Sequence, residues 1–295
     1  MQSFDYQKVR SLQGALDAAS ASKGTSVYLA GGTDLVVQIK EGKIRPQCII
    51  DVKGVDEMSG LAISGGEFSI GALTSVRTLE TSPFALKEVP VLVQAAAKLG
   101  SVQVRHRATI GGNLCNASPA AETAPALLAL DAQAVICGKT EARVVELGKF
   151  FLGPGATVLS HGEMLTRLKI PLTRNRQGSV YYKLSTRNAM DLAFVGVAVL
   201  LELDGGDRII KARIALGAVA PTPIRVPSAE RVLEGSVFSL EAARESAELA
   251  AQSCEPISDH RASAGYRREM VRELCQQALL VAYRQAKGLT EGKKE

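Results

Sequence analysis

Apolar positions along this chain follow two different spacings, and their order suggests where it divides. Residues 11–21 (SLQGALDAASA) carry apolar side chains at helical spacing and predict a short helix. The apolar run at 27–30 and the stretch Cys48-Ile49-Ile50-Asp51-Val52, apolar but for Asp51, predict buried strands, the first leading straight into a glycine pair. Residues 61–64 and 68–71 flank Gly65-Gly66-Glu67 and predict a hairpin. Residues 90–99 (PVLVQAAAKL) predict a helix, with Pro90 at its start and Gly100 just past its end. A further helix is expected over 124–132 (APALLALDA), and a strand over 133–137.

Near Pro171 the texture changes. Residues 173–178 (TRNRQG) hold no apolar side chain and mark the expected domain boundary, at 174. Strand-like runs follow at 180–184, 195–203 and 209–219, with Asp204-Gly205-Gly206-Asp207 as the hairpin turn between the last two. The pattern then turns helical over 240–253 and 267–287, and 288–295 reads as a frayed tail. No internal repeat and no low-complexity segment interrupts this order.

Composition narrows the classes. A chain of 295 residues sets a prior of about two domains. Apolar residues at 46% and charged residues at 22% are ordinary for a soluble globular protein. The net charge of +5 is spread out, and Lys293-Lys294 is too short for a nucleic-acid arm. Aromatic residues make up 4% and Trp is absent, so stacking platforms for single-stranded nucleic acid are scarce. No apolar stretch approaches the roughly 20 residues that span a bilayer. The first ten residues are mixed polar and apolar, unlike a signal peptide, so a cytoplasmic location is expected. Cys48, Cys115, Cys137, Cys254 and Cys275 are odd in number and form no CxxC pair. That argues for buried free thiols, and against a disulfide framework or a metal or iron–sulfur site in this chain.

Two glycine segments carry the candidate chemistry. Ala30-Gly31-Gly32-Thr33-Asp34-Leu35 follows the apolar run Val27-Tyr28-Leu29, and Thr109-Ile110-Gly111-Gly112-Asn113 precedes Ser118-Pro119-Ala120-Ala121-Glu122. Glycine lets backbone N–H groups approach an anion with no Cβ in the way, and Thr33, Thr109 and Asn113 add small donors. Each segment alone also fits an ordinary turn before a helix N-cap. The pair together points to a diphosphate gripped from two sides. Glu122 fits a ribose hydroxyl contact, and equally a helix-start carboxylate answering the dipole. Lys183, Arg187 and Asp191 lie in a polar stretch between apolar strands, which reads as a loop tip or pocket rim. Lys183 is either a contact to an electron-rich ring or a solvated surface lysine. His106, His161 and His260 lie far apart. HExxH, GxSxG, Walker A and post-strand GxGxxG motifs are all absent. With no general base and partner legible, the chemistry is expected to come from a redox cofactor.

AGGTDL, TIGGN with SPAAE, YYKLSTRNAMDLA, GAVAPTPIR and DHRASAGYRR, in this order from about residue 3 to about 285, resemble the flavin-binding medium subunit of the molybdenum hydroxylases. That family includes xanthine, nicotinate and aerobic carbon monoxide dehydrogenases, and Arg187-Asn188-Ala189-Met190-Asp191 is most similar to the bacterial xanthine dehydrogenase flavin subunit. The resemblance implies an α+β fold: a two-lobed vanillyl-alcohol-oxidase-type FAD-binding domain, then a three-stranded antiparallel sheet with a helical bundle. The implied division is 1–174, with lobes of about 1–55 and 56–174, then 175–290, and a tail at 291–295. By resemblance, Val27, Tyr28, Leu29, Ala30, Gly31, Gly32, Thr33 and Asp34 wrap the FAD diphosphate together with Thr109, Ile110, Gly111, Gly112 and Asn113. Glu122 sits near the ribose, where many relatives carry Asp. Leu165 packs near the adenine or the ring through its backbone. Lys183 lies beside the flavin, and the polar loop after it shields the ring and shapes access for the acceptor. The compact stretch 109–135, holding only Cys115, departs from the 4-hydroxybenzoyl-CoA reductase branch, whose inserted segment carries an extra cluster.

The implied activity is electron transfer inside a heterotrimer. A small iron–sulfur subunit passes electrons to the FAD of this chain, and an NAD, quinone or oxygen acceptor removes them. A large molybdenum-cofactor subunit oxidises the substrate, such as a purine, another N-heterocycle, an aldehyde or carbon monoxide. A stand-alone flavin oxidase or reductase of the same fold, and a non-catalytic interaction module, are the alternatives.

Overall fold

The structure, a computed structural model, describes residues 3–22, 24–173 and 175–289. Arg174 and the expected tail at 291–295 lie outside the described residues. The chain starts with a βαβαβ unit: β1 (Asp5–Lys8), α1 (Leu12–Ala21), β2 (Ser26–Leu29), α2 (Leu35–Lys40) and β3 (Cys48–Asp51). Ser11 caps α1 by accepting from the Gly14 amide, and Ala15, Leu16 and Ala19 form the buried face. The strands are parallel in the order β1-β3-β2, with every residue of the central β3 buried. That explains the largely apolar stretch read at 48–52, because a central parallel strand is covered on both faces.

A second, antiparallel sheet has the order β4-β5-β10-β6-β7. Its strands are β4 (Leu61–Ser64), β5 (Glu67–Gly71), β6 (Gln133–Cys137), β7 (Ala142–Glu146) and β10 (Met164–Pro171), with the small pair β8 (Phe151–Gly153) and β9 (Ala156–Thr157) alongside. Between β5 and β6 run six short helices. They are α3 (Val76–Thr81), α4 (Pro83–Glu88), α5 (Pro90–Ala97), α6 (Val102–Arg107), α7 (Ile110–Cys115) and α8 (Thr123–Ala129). All seven residues of α8 are buried, because it is sandwiched between this core and the next sheet.

The last part holds β11 (Arg176–Leu184), β12 (Val195–Leu203), β13 (Ile209–Gly217) and the two-residue β14 (Ile224–Arg225), antiparallel in that order. Three long strands thus form the expected sheet, extended by a short fourth. It is backed by α9 (Pro227–Leu233), α10 (Leu240–Gln252) and α11 (Ala264–Ala286). Every residue of β12 is buried. Val195, Val197, Val199, Leu201 and Leu203 face the helices, while Ala198 and Leu200 join the core of the first part. A period of two thus feeds two cores from one strand. The polar stretch read at 173–178 differs from expectation, since Arg176, Gln177 and Gly178 begin β11. This is an edge strand whose backbone pairs with Leu203, Glu202 and Leu201, so polar side chains cost it little.

Charge fastens the two parts. Asp131, in the left-handed region at φ 51° just after α8, accepts from Lys211 at 2.9 Å, Arg213 at 3.0 Å and Arg225 at 2.5 Å. Burial raises its carboxyl, but the three cations outweigh that and hold it below the usual carboxylate range. Asp131→Asn leaves those cations short of their partner, with an expected loss of about 2–3 kcal/mol at neutral pH. A carboxyl lowered on folding stabilises above its unfolded pKa of about 4 and stops doing so as pH falls through the lower folded value. Urea melts of both proteins should therefore differ at pH 7 and converge in acid.

Candidate functional site

One cleft gathers the two glycine segments. It has a volume of about 470 Å³ and is lined by Ala30, Gly31, Gly32, Thr33 and Asp34 on one side and by Thr109, Gly112 and Asn113 on the other. Glu122 lies in its wall, and Met190, Asp191 and Leu192 reach it from the loop between β11 and β12.

The glycines bring these segments together for different reasons. A Cβ on Gly31 would lie 2.0 Å from the Arg107 carbonyl oxygen, so only glycine lets the end of β2 rest on the end of α6. Gly32 adopts φ +78°, which turns the chain into α2. The N–H groups of Gly31 and Gly32 donate to no acceptor among the described residues. The second segment is the N-cap and first turn of a helix. Thr109 is the N-cap of α7, and its Oγ1 accepts from the Gly112 amide at 3.0 Å. Gly111 has a packing role: a Cβ there would meet Ala72 at 2.7 Å. The Ile110 and Gly111 amides donate to the Thr74 and Ala72 carbonyls, which seats α7 on the chain leaving β5.

Not every expected residue faces the cleft. Tyr28 does, with its hydroxyl donating to the Gly162 carbonyl at 2.9 Å and pushed up to about 12 by burial. Val27, Leu29, Ile110, Gly111, Leu165 and Lys183 do not line it. Ile110 is a fully buried core residue. Leu165 sits on the central strand β10 opposite Ile136, with its side chain in the core. Lys183 lies behind the wall. Its Nζ donates to Glu122 Oε1 at 2.8 Å, to the Lys98 carbonyl at 3.0 Å and to the Asp191 carbonyl at 2.7 Å. Its side chain is 3% exposed, so it is not a solvated surface lysine. Burial pushes the Glu122 carboxyl above the usual range, and the Lys183 ammonium pulls against that shift. The pairing therefore cancels a negative charge in the cavity wall.

The loop after Lys183 is organised by Asp191. Its carboxylate accepts from Thr186 Oγ1 at 2.7 Å and from the Arg187 and Leu192 amides at 3.0 and 3.1 Å. The Thr186 hydroxyl is the main cause holding this carboxyl below its ordinary value.

Several wall residues carried no signal in the sequence. Gln38 of α2 donates to Asn116 Oδ1 at 2.9 Å, joining the first unit to the end of α7. Leu99 and Gly100 line the cleft, although Gly100 was legible only as a helix stop. Cys115 also lines it, its thiol pushed up to about 12 by burial and so unreactive at neutral pH. His106, His161 and His260 are all exposed and none reaches the cleft. The cavity offers backbone N–H groups, hydroxyls, and the carboxylates of Asp34 and of the Lys183-paired Glu122, which suits holding a ligand rather than moving a proton.

Comparison with known proteins agrees with this geometry. Residues 2–173 match the family described as the FAD binding domain in molybdopterin dehydrogenase, and residues 180–282 match the CO dehydrogenase flavoprotein C-terminal domain. The putative xanthine dehydrogenase FAD-binding subunit of Escherichia coli (strain K12) is 30% identical, over 96% of this chain and 97% of its own. The glyceraldehyde dehydrogenase medium chain of Sulfolobus acidocaldarius is 32% identical, over 93% of this chain and 96% of its own. In the carbon monoxide dehydrogenase structure from Hydrogenophaga pseudoflava, one chain superposes with a TM-score of 0.92 at 31% identity, covering 96% of this chain and 98% of that one. The cleft, the succession of sheets and these matches over both parts make this chain a member of the family of FAD-binding medium subunits of the molybdenum hydroxylases.

Proposed function

We propose that this chain is the FAD-carrying electron-transfer subunit of a molybdenum-containing hydroxylase. The observation that carries the reading is the meeting of two glycine segments on one cleft, with the Gly31 and Gly32 amides open to it. A volume of about 470 Å³ falls in the range of cofactor pockets, and the cleft is open at the surface. Bound there, FAD supplies the one- and two-electron chemistry that no side chain in the cleft provides.

This chain's residues bind, orient and shield. The segment at 30–34 and the residues Thr109, Gly112 and Asn113 hold the diphosphate from two sides, with Gly31 and Gly111 supporting them by close packing. Glu122 accepts from a ribose hydroxyl with its charge balanced by Lys183. Val27, Leu29, Ile110 and Leu165 act from behind as the frame. Met190 and Leu192 cover the ligand and exclude water. The FAD-binding domain spans 1–174, in lobes of about 1–55 and 56–174, and the C-terminal domain spans 175–290.

Electrons enter from an iron–sulfur subunit fed by a large molybdenum-cofactor subunit, and leave to an external acceptor such as NAD, a quinone or oxygen. A purine or other N-heterocycle is the proposed substrate class of the complex. No described helix is long and apolar enough to cross a membrane, and the complex is proposed to work in the cytoplasm. The test is the visible spectrum of the gently purified chain, with chromatography of the acid-released chromophore. Flavin bands and released FAD are expected. A colourless protein that stays colourless after FAD is added defeats the binding reading. Turnover of an organic donor by the chain alone would favour a stand-alone flavin enzyme instead.

A further inference from the structure

Two of the ordered motifs, at 217–225 and 259–268, lie outside the cleft and meet at one buried guanidinium. Arg267, near the start of α11, is 4% exposed. Its Nη1 donates to the Ala218 carbonyl at 3.0 Å and, more weakly, to the Phe194 carbonyl at 3.4 Å, and its Nη2 donates to Asp259 Oδ1 at 2.8 Å. Asp259 is itself fixed, because Oδ1 also accepts from the Arg261 and Ala262 amides at 2.9 and 3.2 Å. Arg267 Nε is buried with no partner among the described residues. An unpaired buried donor costs free energy, so this guanidinium is a poor way to fill space. What it supplies is charged bonds in fixed directions.

Ala218 follows β13 in the left-handed region, at φ +63°, which an L side chain disfavours. Both of its backbone groups are bonded. Its carbonyl accepts from Arg267, and its amide donates to the Pro119 carbonyl at 2.7 Å. Pro119 lies between Ser118 and Ala120, both in the wall of the cleft. The end of β13 is packed tightly there, since a Cβ on Gly217 would meet Pro125 Cγ at 2.7 Å. Among the described residues, 117–121 has one other distant backbone tie, from the Gly155 amide to the Ala117 carbonyl at 3.0 Å. The Glu255 amide donates to the Val219 carbonyl at 2.9 Å, which fixes the chain beyond Ala218 and leaves the Ala218 carbonyl to Arg267. The positive φ lets one residue face both ways. Relaxed to negative φ, Ala218 could not keep its amide on Pro119 and its carbonyl on Arg267.

We propose that Arg267 is a positioning residue that clamps Ala218 in its left-handed conformation and so sets the cleft wall at 118–122 from the second part of the chain. It does not touch the ligand. The consequence, retention of FAD, rests on the flavin-site reading, whereas the clamp rests on geometry alone.

The experiment compares the full-length chain with Arg267→Met, Arg267→Lys and Leu279→Ala. The last opens a cavity in the core beneath the same helix and serves as a control for lost stability. Hydrogen exchange at the Ala218 amide, read by mass spectrometry without FAD, is scored against exchange in β12. A general loss of stability speeds both and leaves their ratio unchanged, whereas a lost clamp speeds only the first. Arg267→Met is expected to raise the ratio about tenfold, in keeping with loss of a charged hydrogen bond. It should weaken FAD binding about threefold in fluorescence titration, because only chains with the wall in place are competent. The Lys variant keeps the charge but not the fork, so it should fall between, and it carries the test if the Met variant does not fold. Adding Ala218→Gly to either variant should bring the ratio part of the way back, because glycine holds positive φ without strain. An unchanged ratio in the folded variants, or no recovery with glycine, overturns the clamp. A raised ratio with full FAD affinity overturns the positioning role. If the unmodified chain binds no FAD but the ratio still rises, the flavin reading fails and the clamp stands.

Discussion

Replacing Gly112 by Asp is expected to strip the chain of flavin while leaving it folded. Gly112 lines the cleft in the first turn of α7, and its amide is already capped by Thr109 Oγ1. A Cβ there would lie 2.9 Å from that hydroxyl, which can rotate away at the cost of the cap, about 1 kcal/mol. The carboxylate is the larger insult. Two like charges about 5 Å apart, at an effective dielectric constant near 20, repel by about 3 kcal/mol. A diphosphate carries more than one charge, so the dissociation constant for FAD should rise at least about a hundredfold. Gly112→Ala carries the Cβ alone and should lose far less. Fluorescence titration of both variants reads the difference, and full flavin occupancy in the Asp variant would remove this segment from the site.

Gly31→Ala should cost both stability and cofactor. Its Cβ would lie 2.0 Å from the Arg107 carbonyl oxygen and 2.8 Å from the carbonyl carbon, so backbone must move rather than a side-chain tip. Overpacking of this kind costs about 2–3 kcal/mol. The movement separates the two segments that form the cleft, so FAD affinity should fall with it. Gly153→Ala is the control, because nothing lies within 4 Å of the added Cβ, and it should stay within about 0.5 kcal/mol. Urea midpoints compare the two. Equal midpoints would mean that the first segment is free to shift, and that its contact with α6 does not organise the cleft.

The sequence was legible where a pattern runs long enough to repeat. The helix at 11–21 showed its spacing and its Ser11 cap, and α10 and α11 run 13 and 23 residues with helical periodicity. The run of β12, apolar but for Glu202, announced a strand, because nine residues of a two-sided strand admit few polar groups. Helices α2, α3, α4 and α6 went unread. Each has six residues, under two turns, which is too short for a 3.6-residue period to declare itself. β1 escaped for another reason: all four of its residues are exposed, so no apolar pattern marks it, and it is held to β3 by backbone pairing and by the Tyr6 hydroxyl donating to the Asp51 carboxylate.

The site divides along the same line. The amino-acid sequence by itself determined the α+β class, the two glycine segments and, through its ordered motifs, the family. Those features are local, written in runs of a few residues whose spacing or backbone freedom is the signal. Only the tertiary structure decided what each glycine is for, since Gly31 and Gly111 are required by neighbours 76 and 39 residues away, Arg107 and Ala72. It alone paired Lys183 with Glu122 across 61 positions and showed that the ammonium is buried. It alone turned the Leu165 side chain into the core and brought Gln38 to Asn116. Such contacts join residues that no local pattern relates, because they depend on how separately formed elements pack.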